Sequence, residues 1–471
     1  MQWKTHIRYF KTHKIIKIAL TGTLLLSLAS CSDSFFEQYP SNSITEGNFY
    51  KTDDDFNQGI YSCYHKMKTQ MGFFLNELAY RSDECYLESM AVSTQDRYDI
   101  DHFQEKSNNG IMKNIWNAWY NGIYRCNDVL VHMDGKKLTN GDKYCGEALF
   151  LRSWWYFSLY RVFGGVPVTT TVVSPADAKT IARCSDEDMY NRLTQDLSEA
   201  ISLLPAKRSA ETARVTKIAA QTLLAKVYLT FGKYPEAQKV LEDAMTDTGY
   251  GLMATTAQVF DISNKMNKEI IFALYYNKTN DNGHGYWYST NTGVLADITN
   301  PTKQFKSLYS AEDNRFNLIN TYTKISNSLY AMTKWMDTYD AQFTTQVGND
   351  FPMLRYADVV LMYAEALGQQ GNISEALTYL NKTRKRAGLT ELTEAEVADK
   401  KAFIQELASE RGREFALEGQ RWFDLVRLGL AVDYFKGLGY SLDDHNLLFP
   451  IPQDQIEIVN DKSILWQNPG F

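Results

Sequence analysis

The chain has 471 residues, 44% hydrophobic and 22% charged, with a formal charge of −7. That length can bury one large core or two smaller ones, and the acidic balance argues against nucleic acid, whose phosphates reward basic patches. The six cysteines form no CxxC and no Cys/His cluster at zinc spacing, so the sequence gives no sign of a metal centre.

The first 17 residues carry Lys4, Arg8, Lys11, Lys14 and Lys17 and no acid, and 15–29 is mostly apolar. That run is shorter than the roughly 20 residues of a spanning helix. A basic start, a short apolar stretch and small residues at its end describe a secretory signal peptide, residues 1–30. Leu28-Ala29-Ser30-Cys31 resembles the bacterial lipobox, so Cys31 is expected to become a lipidated N-terminus that anchors an exported protein to a membrane, with 31–50 as its tether. Loss of the leader's five basic residues takes the charge from −7 to −12. Five cysteines remain, an odd number that excludes a complete disulfide framework, and they read as buried small apolar residues.

From residue 51 onward the pattern is helical. "IMKNIWNAWYNGIYRCNDVLVHM" and "YCGEALFLRSWWYFSLYRVFGG" form one predicted helix pair, with Trp116, Trp119, Trp154 and Trp155 at the spacing of buried faces. A clearer pair lies at 219–245, where Leu223, Leu224, Val227 and Tyr228 keep a helical period, Gly232 and Pro235 punctuate it, and Ala237, Val240 and Leu241 begin a second stripe. "MYAEALGQQGNISEALTYLNKTR" repeats this plan, aligning Gly232 with Gly371, Ala237 with Ala376 and Leu241 with Leu380. Helix, glycine, alanine, helix is the tetratricopeptide pattern. The expected fold class is therefore mainly all-α: tetratricopeptide-like helix pairs forming a scaffold with long loop insertions, not a compact solenoid.

Two stretches, 72–110 and 246–352, have weak periodicity and many small polar residues and tyrosines, and long loops of this kind are usually functional. In the first, Arg81, Asp83, Glu84, Asp96, Arg97 and Tyr98 are candidate ligand contacts, although the stretch contains no tryptophan. In the second, "NKTNDNGHGYWYSTNTG" places Tyr286, Trp287 and Tyr288 among glycines and asparagines, a composition suited to stacking on the C–H face of a sugar ring. Trp335 is a further candidate platform, with a core role as the competing reading.

The C-terminal third carries "MLRYADVVLMYAEAL" (353–367), "ERGREFALEGQRWFDLVRLG" (410–429), "LLFPIPQDQI" (447–456) and a terminal "QNPGF", preceded by "NPTKQFKSLYSAEDNRF" (300–316) and "TKW" (333–335). In this order they resemble the SusD/RagB family of outer-membrane lipoproteins from Bacteroidetes, and the lipobox and helix pairs agree with it. The resemblance implies a surface-exposed nutrient-binding protein that is not an enzyme and has no cofactor. It implies an oligosaccharide or, in the alternative, a peptide as ligand, and a SusC-like TonB-dependent transporter as partner. It also divides the mature chain into an N-terminal helical region, 51–250, and a C-terminal region, 251–471, packed as one unit.

Other classes compete with that reading. Glu406, Glu410, Glu414 and Glu418 recur every four residues on one predicted helix, and paired carboxylates are the equipment of a glycosidase. Like charges at this spacing repel by about 0.2–0.5 kcal/mol per pair, and Arg384, Arg386, Arg411, Arg413, Arg421 and Arg427 lie in or just before the segment. An ion-pair network clipping the helix to the scaffold explains both signs. No GxSxG, HExxH, P-loop or dinucleotide-binding glycine pattern occurs, so no catalytic residue is assigned. A scaffold that binds only protein is the remaining alternative.

Overall fold

The computed structural model describes residues 49–87, 95–208, 213–277, 289–291, 301–324, 329–335, 337 and 348–471. Helix α1, Asp53–Ala79, begins at Thr52, whose hydroxyl accepts from the Asp55 N–H while Asp55 caps the Thr52 N–H in return. Asp53, Asp54 and Asp55 in its first turn complement the helix dipole. Phe56, Ile60, Cys63, Met67 and Met71 give it a fully buried stripe. The expected insertion at 72–110 therefore starts inside a helix, and its later part forms α2, Gln95–Asp101.

The early helix pair is present as α3, Gly110–Met133, and α4, Gly141–Phe163. The four tryptophans Trp116, Trp119, Trp154 and Trp155 are all buried, as their spacing requires. At Gly122 the helices meet so closely that a Cβ would lie 2.3 Å from Trp155 Cε2. Next comes α5, Asp186–Leu203, opened by a Ser185–Asp188 capping box.

The two tetratricopeptide-like hairpins are α6, Lys217–Thr230, with α7, Tyr234–Met245, and α8, Tyr356–Gln369, with α9, Ile373–Arg386. Gly232 and Gly371 turn the chain at φ of 68° and 88°, where a side chain would be strained. Ala237 and Ala376 are fully buried where the paired helices close. The long insertion does not part these two hairpins. α7 packs directly on α8, joined by Tyr363 Oη donating to Glu242 (2.9 Å) and Gln370 donating to Gln238 (2.8 Å). The stack of hairpins is thus continuous, and the intervening segment leaves it and returns.

That segment carries strands. β1, Ile270–Leu274, pairs antiparallel with β5, Phe351–Arg355, and both are wholly buried. Between them β2, Ser289–Asn291, β3, Tyr322–Lys324, and β4, Leu329–Met332, form a small sheet in the order β2-β4-β3. The chain ends with α10, Lys400–Glu414, α11, Arg421–Arg427, α12, Ala431–Gly437, and α13, Gln453–Val459. The "FPIP" segment is extended, with Phe449 and Ile451 fully buried and the Phe449 N–H donating to Val162 O (2.8 Å). A single cluster of buried side chains runs from Tyr50 to Leu465. Among the described residues no helix is long and apolar enough to cross a membrane. Cys63, Cys85, Cys126, Cys145 and Cys184 are all free, the first three of them buried.

Candidate functional site

The residues singled out from the sequence do not converge on one place. Arg81 is fully buried, donating to Glu105 (2.5 Å), Ile100 O (3.2 Å) and Asn446 O (2.7 Å), with Phe103 and Phe449 rings over its guanidinium. Asp83, also buried, accepts from Arg421 Nε (2.9 Å) and Tyr434 Oη (2.5 Å), tying the first insertion to α11 and α12. Trp335 is 1% exposed, stacked at 11° on Phe351 and edge-on to Phe260. In this structure all three side chains are almost wholly buried. On α2, Asp96 accepts from the Gly110 N–H (3.1 Å), Arg97 grips Glu77 through two bonds of 2.6 and 2.7 Å, and Tyr98 stacks on His102; all three stay half-buried. Tyr286, Trp287 and Tyr288 lie outside the described residues, as does Cys31.

Glu406, Glu410 and Glu414 of α10 are held by arginines. The helix ends at Glu414, so Glu418 lies in the turn beyond it and not on the same helix as expected, yet it too is held by cations. Glu410 takes Arg315 (2.8 Å) and Arg413 (3.0 Å); Glu414 takes Arg315 (3.0 Å), Arg355 (2.5 Å) and Arg386; Glu418 takes Arg355 (2.8 Å) and Lys334 (2.7 Å); the half-exposed Glu406 takes Arg384 and Arg413. Burial alone would raise the Glu414 carboxyl; Arg386, Arg355 and Arg315 overcome that and hold it well below the usual carboxylate range. Arg411 bridges Asp358 and Asp424, and Arg427 bridges Asp424 and Glu365. A glycosidase's general acid must hold a proton, a role that Glu410 and Glu414, kept below the usual carboxylate range by their arginines, do not fit. One nearby acid differs: burial pushes Glu84 up to about 8, even though it accepts the Leu417 N–H (2.8 Å). Among the described residues no group of three or more His, Cys, Asp or Glu side chains could hold a metal ion.

What the structure does assemble is a groove of about 1230 Å³ beside α1. Tyr61, Tyr64, His65 and Lys68 of α1 form one wall, at the i, i+3, i+4, i+7 spacing of a single helix face that flanks its apolar stripe. β1 and its exit supply Phe272 and Tyr275; the segments between supply Arg208, Arg214, Asp247, Tyr250 and Lys265. Tyr61 and Tyr275 are 49% and 45% exposed, leaving ring surface open to solvent. The walls are pinned: Tyr64 Oη accepts the Val215 N–H (3.0 Å), Tyr276 Oη donates to Lys68 O (2.8 Å), and Arg208 donates to Ile270 O (2.8 Å) and Met266 O.

Cations dominate the lining. The Arg214 guanidinium lies 4.8 Å from the Tyr61 ring centre and 3.3 Å from Glu147, whose carboxyl burial pushes up to about 7. Lys265 Nζ sits 4.5 Å from the Tyr275 ring centre and 3.0 Å from Asp350. Asp247 is the one acid in the lining among the described residues, and it is occupied by the Gly249 N–H (2.9 Å). The chemistry available is stacking on tyrosine and hydrogen bonding from cationic donors. Sequence reading missed this groove because its walls come from four separate segments. The Tyr61–Lys68 stripe was the one local signal, and alone it reads as an ordinary solvated helix face.

Two family models match the chain: "SusD family" over 313–471 and "Starch-binding associating with outer membrane" over 48–229. A SusD-like protein, P2, of Formosa agariphila is 26% identical over 98% of this chain and 100% of its own length. A SusD superfamily protein of Bacteroides vulgatus superposes with a TM-score of 0.76 at 23% identity, covering 90% of this chain and 100% of that one. The surface glycan-binding protein A of Bacteroides thetaiotaomicron, solved with laminarihexaose, does so with a TM-score of 0.72 at 21% identity, covering 89% and 100%.

Proposed function

The chain belongs to the SusD family, and on that premise we propose that it is a surface-exposed outer-membrane lipoprotein that binds an oligosaccharide and passes it to a SusC-like TonB-dependent transporter. The observation that carries the binding reading is the groove beside α1, where half-exposed Tyr61 and Tyr275 stand next to fixed hydrogen-bond donors. A pyranose needs an aromatic face for its C–H groups and donors for its oxygens, and a preformed cleft supplies both at little ordering cost. Tyr286, Trp287 and Tyr288, which follow β1 in sequence, are proposed as further ring contacts, and Asp96, Arg97 and Tyr98 as a second polar cluster. Cys31 is the proposed anchor.

Capture requires no bond to be made or broken, and the saturated carboxylates of α10 agree with a binding role. The regions 51–250 and 251–471 are proposed to work as one body, a reading supported by the Asp83–Arg421 pair and the packing of α7 on α8. Titration of the full chain with a panel of oligosaccharides, with Tyr61→Ala, Tyr275→Ala and Trp287→Ala alongside, tests the reading. Recovery of the sugars unshortened and loss of affinity in the tyrosine variants are expected; shorter products or unchanged affinity would contradict it. Cys31→Ser should move the protein out of the membrane fraction.

A further inference from the structure

The groove is far more positive than the molecule that carries it. The whole chain has a charge of −7, yet Lys68, Lys207, Arg208, Arg214 and Lys265 line this one cleft, with His65 beside them. Arg208 is oriented by two carbonyl oxygens, Ile270 O and Met266 O, and neutral acceptors fix a guanidinium without cancelling its charge. Arg214 is 8% exposed and pairs with Glu147 Oε2 at 3.3 Å from its Nη2, but among the described residues neither its Nε and Nη2 nor the Glu147 oxygens complete a hydrogen bond. Arg355 of the scaffold, by contrast, meets three carboxylates. Guanidinium groups match the two-oxygen edge of a carboxylate or sulfate.

Resting on the saccharide reading above, we infer that the groove selects an anionic oligosaccharide, one bearing carboxylate or sulfate groups, with Arg208 and Arg214 drawing the anion and Tyr61 and Tyr275 stacking on the rings. Selectivity then comes from charge, while the tyrosines supply contact common to any sugar.

The test is calorimetric titration of the full chain with four probes of matched length: an oligogalacturonate, a sulfated galactan oligomer, a neutral gluco-oligosaccharide and an oligoglutamate peptide, each at low and high salt. Arg208→Gln is the principal variant. The exposed Lys207→Glu is the second, because it reverses charge at the rim without touching the interior. One of the two anionic sugars is expected to bind about tenfold tighter than the neutral one and to lose that margin at high salt. It should weaken by about tenfold in Arg208→Gln and about threefold in Lys207→Glu. Which of the two binds identifies the anionic group. Equal binding of the neutral sugar, unmoved by either variant, overturns the charge inference and leaves the saccharide reading standing. Binding of the peptide alone, or of nothing, overturns both.

Discussion

Around α10, arginines meet carboxylates: Arg355 reaches Glu269, Glu414 and Glu418, and Arg315 reaches Asp313, Glu410 and Glu414, all of them buried. In the groove beside α1, Arg208 meets two carbonyls and the Tyr250 ring, and Arg214 meets tyrosine rings and one poorly aligned glutamate. The residue type is the same in both regions, and the partner decides the role. Where every charge is matched inside the protein, the cluster is structural; where a charge is oriented by neutral carbonyls, as at Arg208, it remains available to a ligand.

Breaking the first region should have the larger effect. Arg355→Met takes one cation from each of three buried carboxylates, leaving Glu269 with Arg386, Glu414 with Arg315 and Arg386, and Glu418 with Lys334. It is expected to cost about 3 kcal/mol, read as a lowered denaturant midpoint. An unchanged midpoint would mean that the network does not hold the helix.

Glu84→Gln sharpens the contrast through pH. The folded-state pKa of Glu84, about 8, stands above its ordinary value of 4.5. The folded protein therefore keeps a proton that the unfolded chain releases, and stability falls as pH rises from 4.5 to 8. Glutamine can still accept the Leu417 N–H and does not ionise, so the variant should be more stable by about 4 kcal/mol at pH 8 and unchanged below pH 4.5. Glu414 has the opposite sign. Its lowered pKa contributes stability that is present above 4.5 and lost as pH falls. A melting curve whose pH dependence is the same for wild type and Glu84→Gln would contradict this assignment.

Arg208→Gln should cost only about 1 kcal/mol of stability, since its two lost bonds are half-exposed, while weakening binding of the anionic sugar by about tenfold. The smallest effect belongs to Lys385→Ala. Its ion pair with Glu391 is 77% and 56% exposed, and the expected change, within about 0.5 kcal/mol, marks the floor against which the others are read.

The sequence disclosed the parts of this fold that are local. The Gly232/Gly371 and Ala237/Ala376 correspondences report a backbone turn and a close helix approach, both fixed by residue type, and both are where the pattern placed them. The alternation of Glu and Arg on α10 disclosed its ion pairs, because four-residue spacing of like charge demands compensation. Stacking of α7 on α8 was hidden by the long segment between them. The fate of Trp335 depended on Phe260 and Phe351, and that of Arg81 and Asp83 on Glu105 and Arg421, none of them sequence neighbours. The groove was least legible of all, since no single segment contains enough of it to show.

Hydrogen exchange of the full chain, with and without whichever of the oligogalacturonate and the sulfated galactan oligomer binds in the titration, tests both regions in one measurement. Slower exchange is expected at 61–68, 246–250 and 265–275 on addition of the sugar, with 403–418 unchanged. Slowing confined to 95–101, or absent from the groove altogether, would contradict the account.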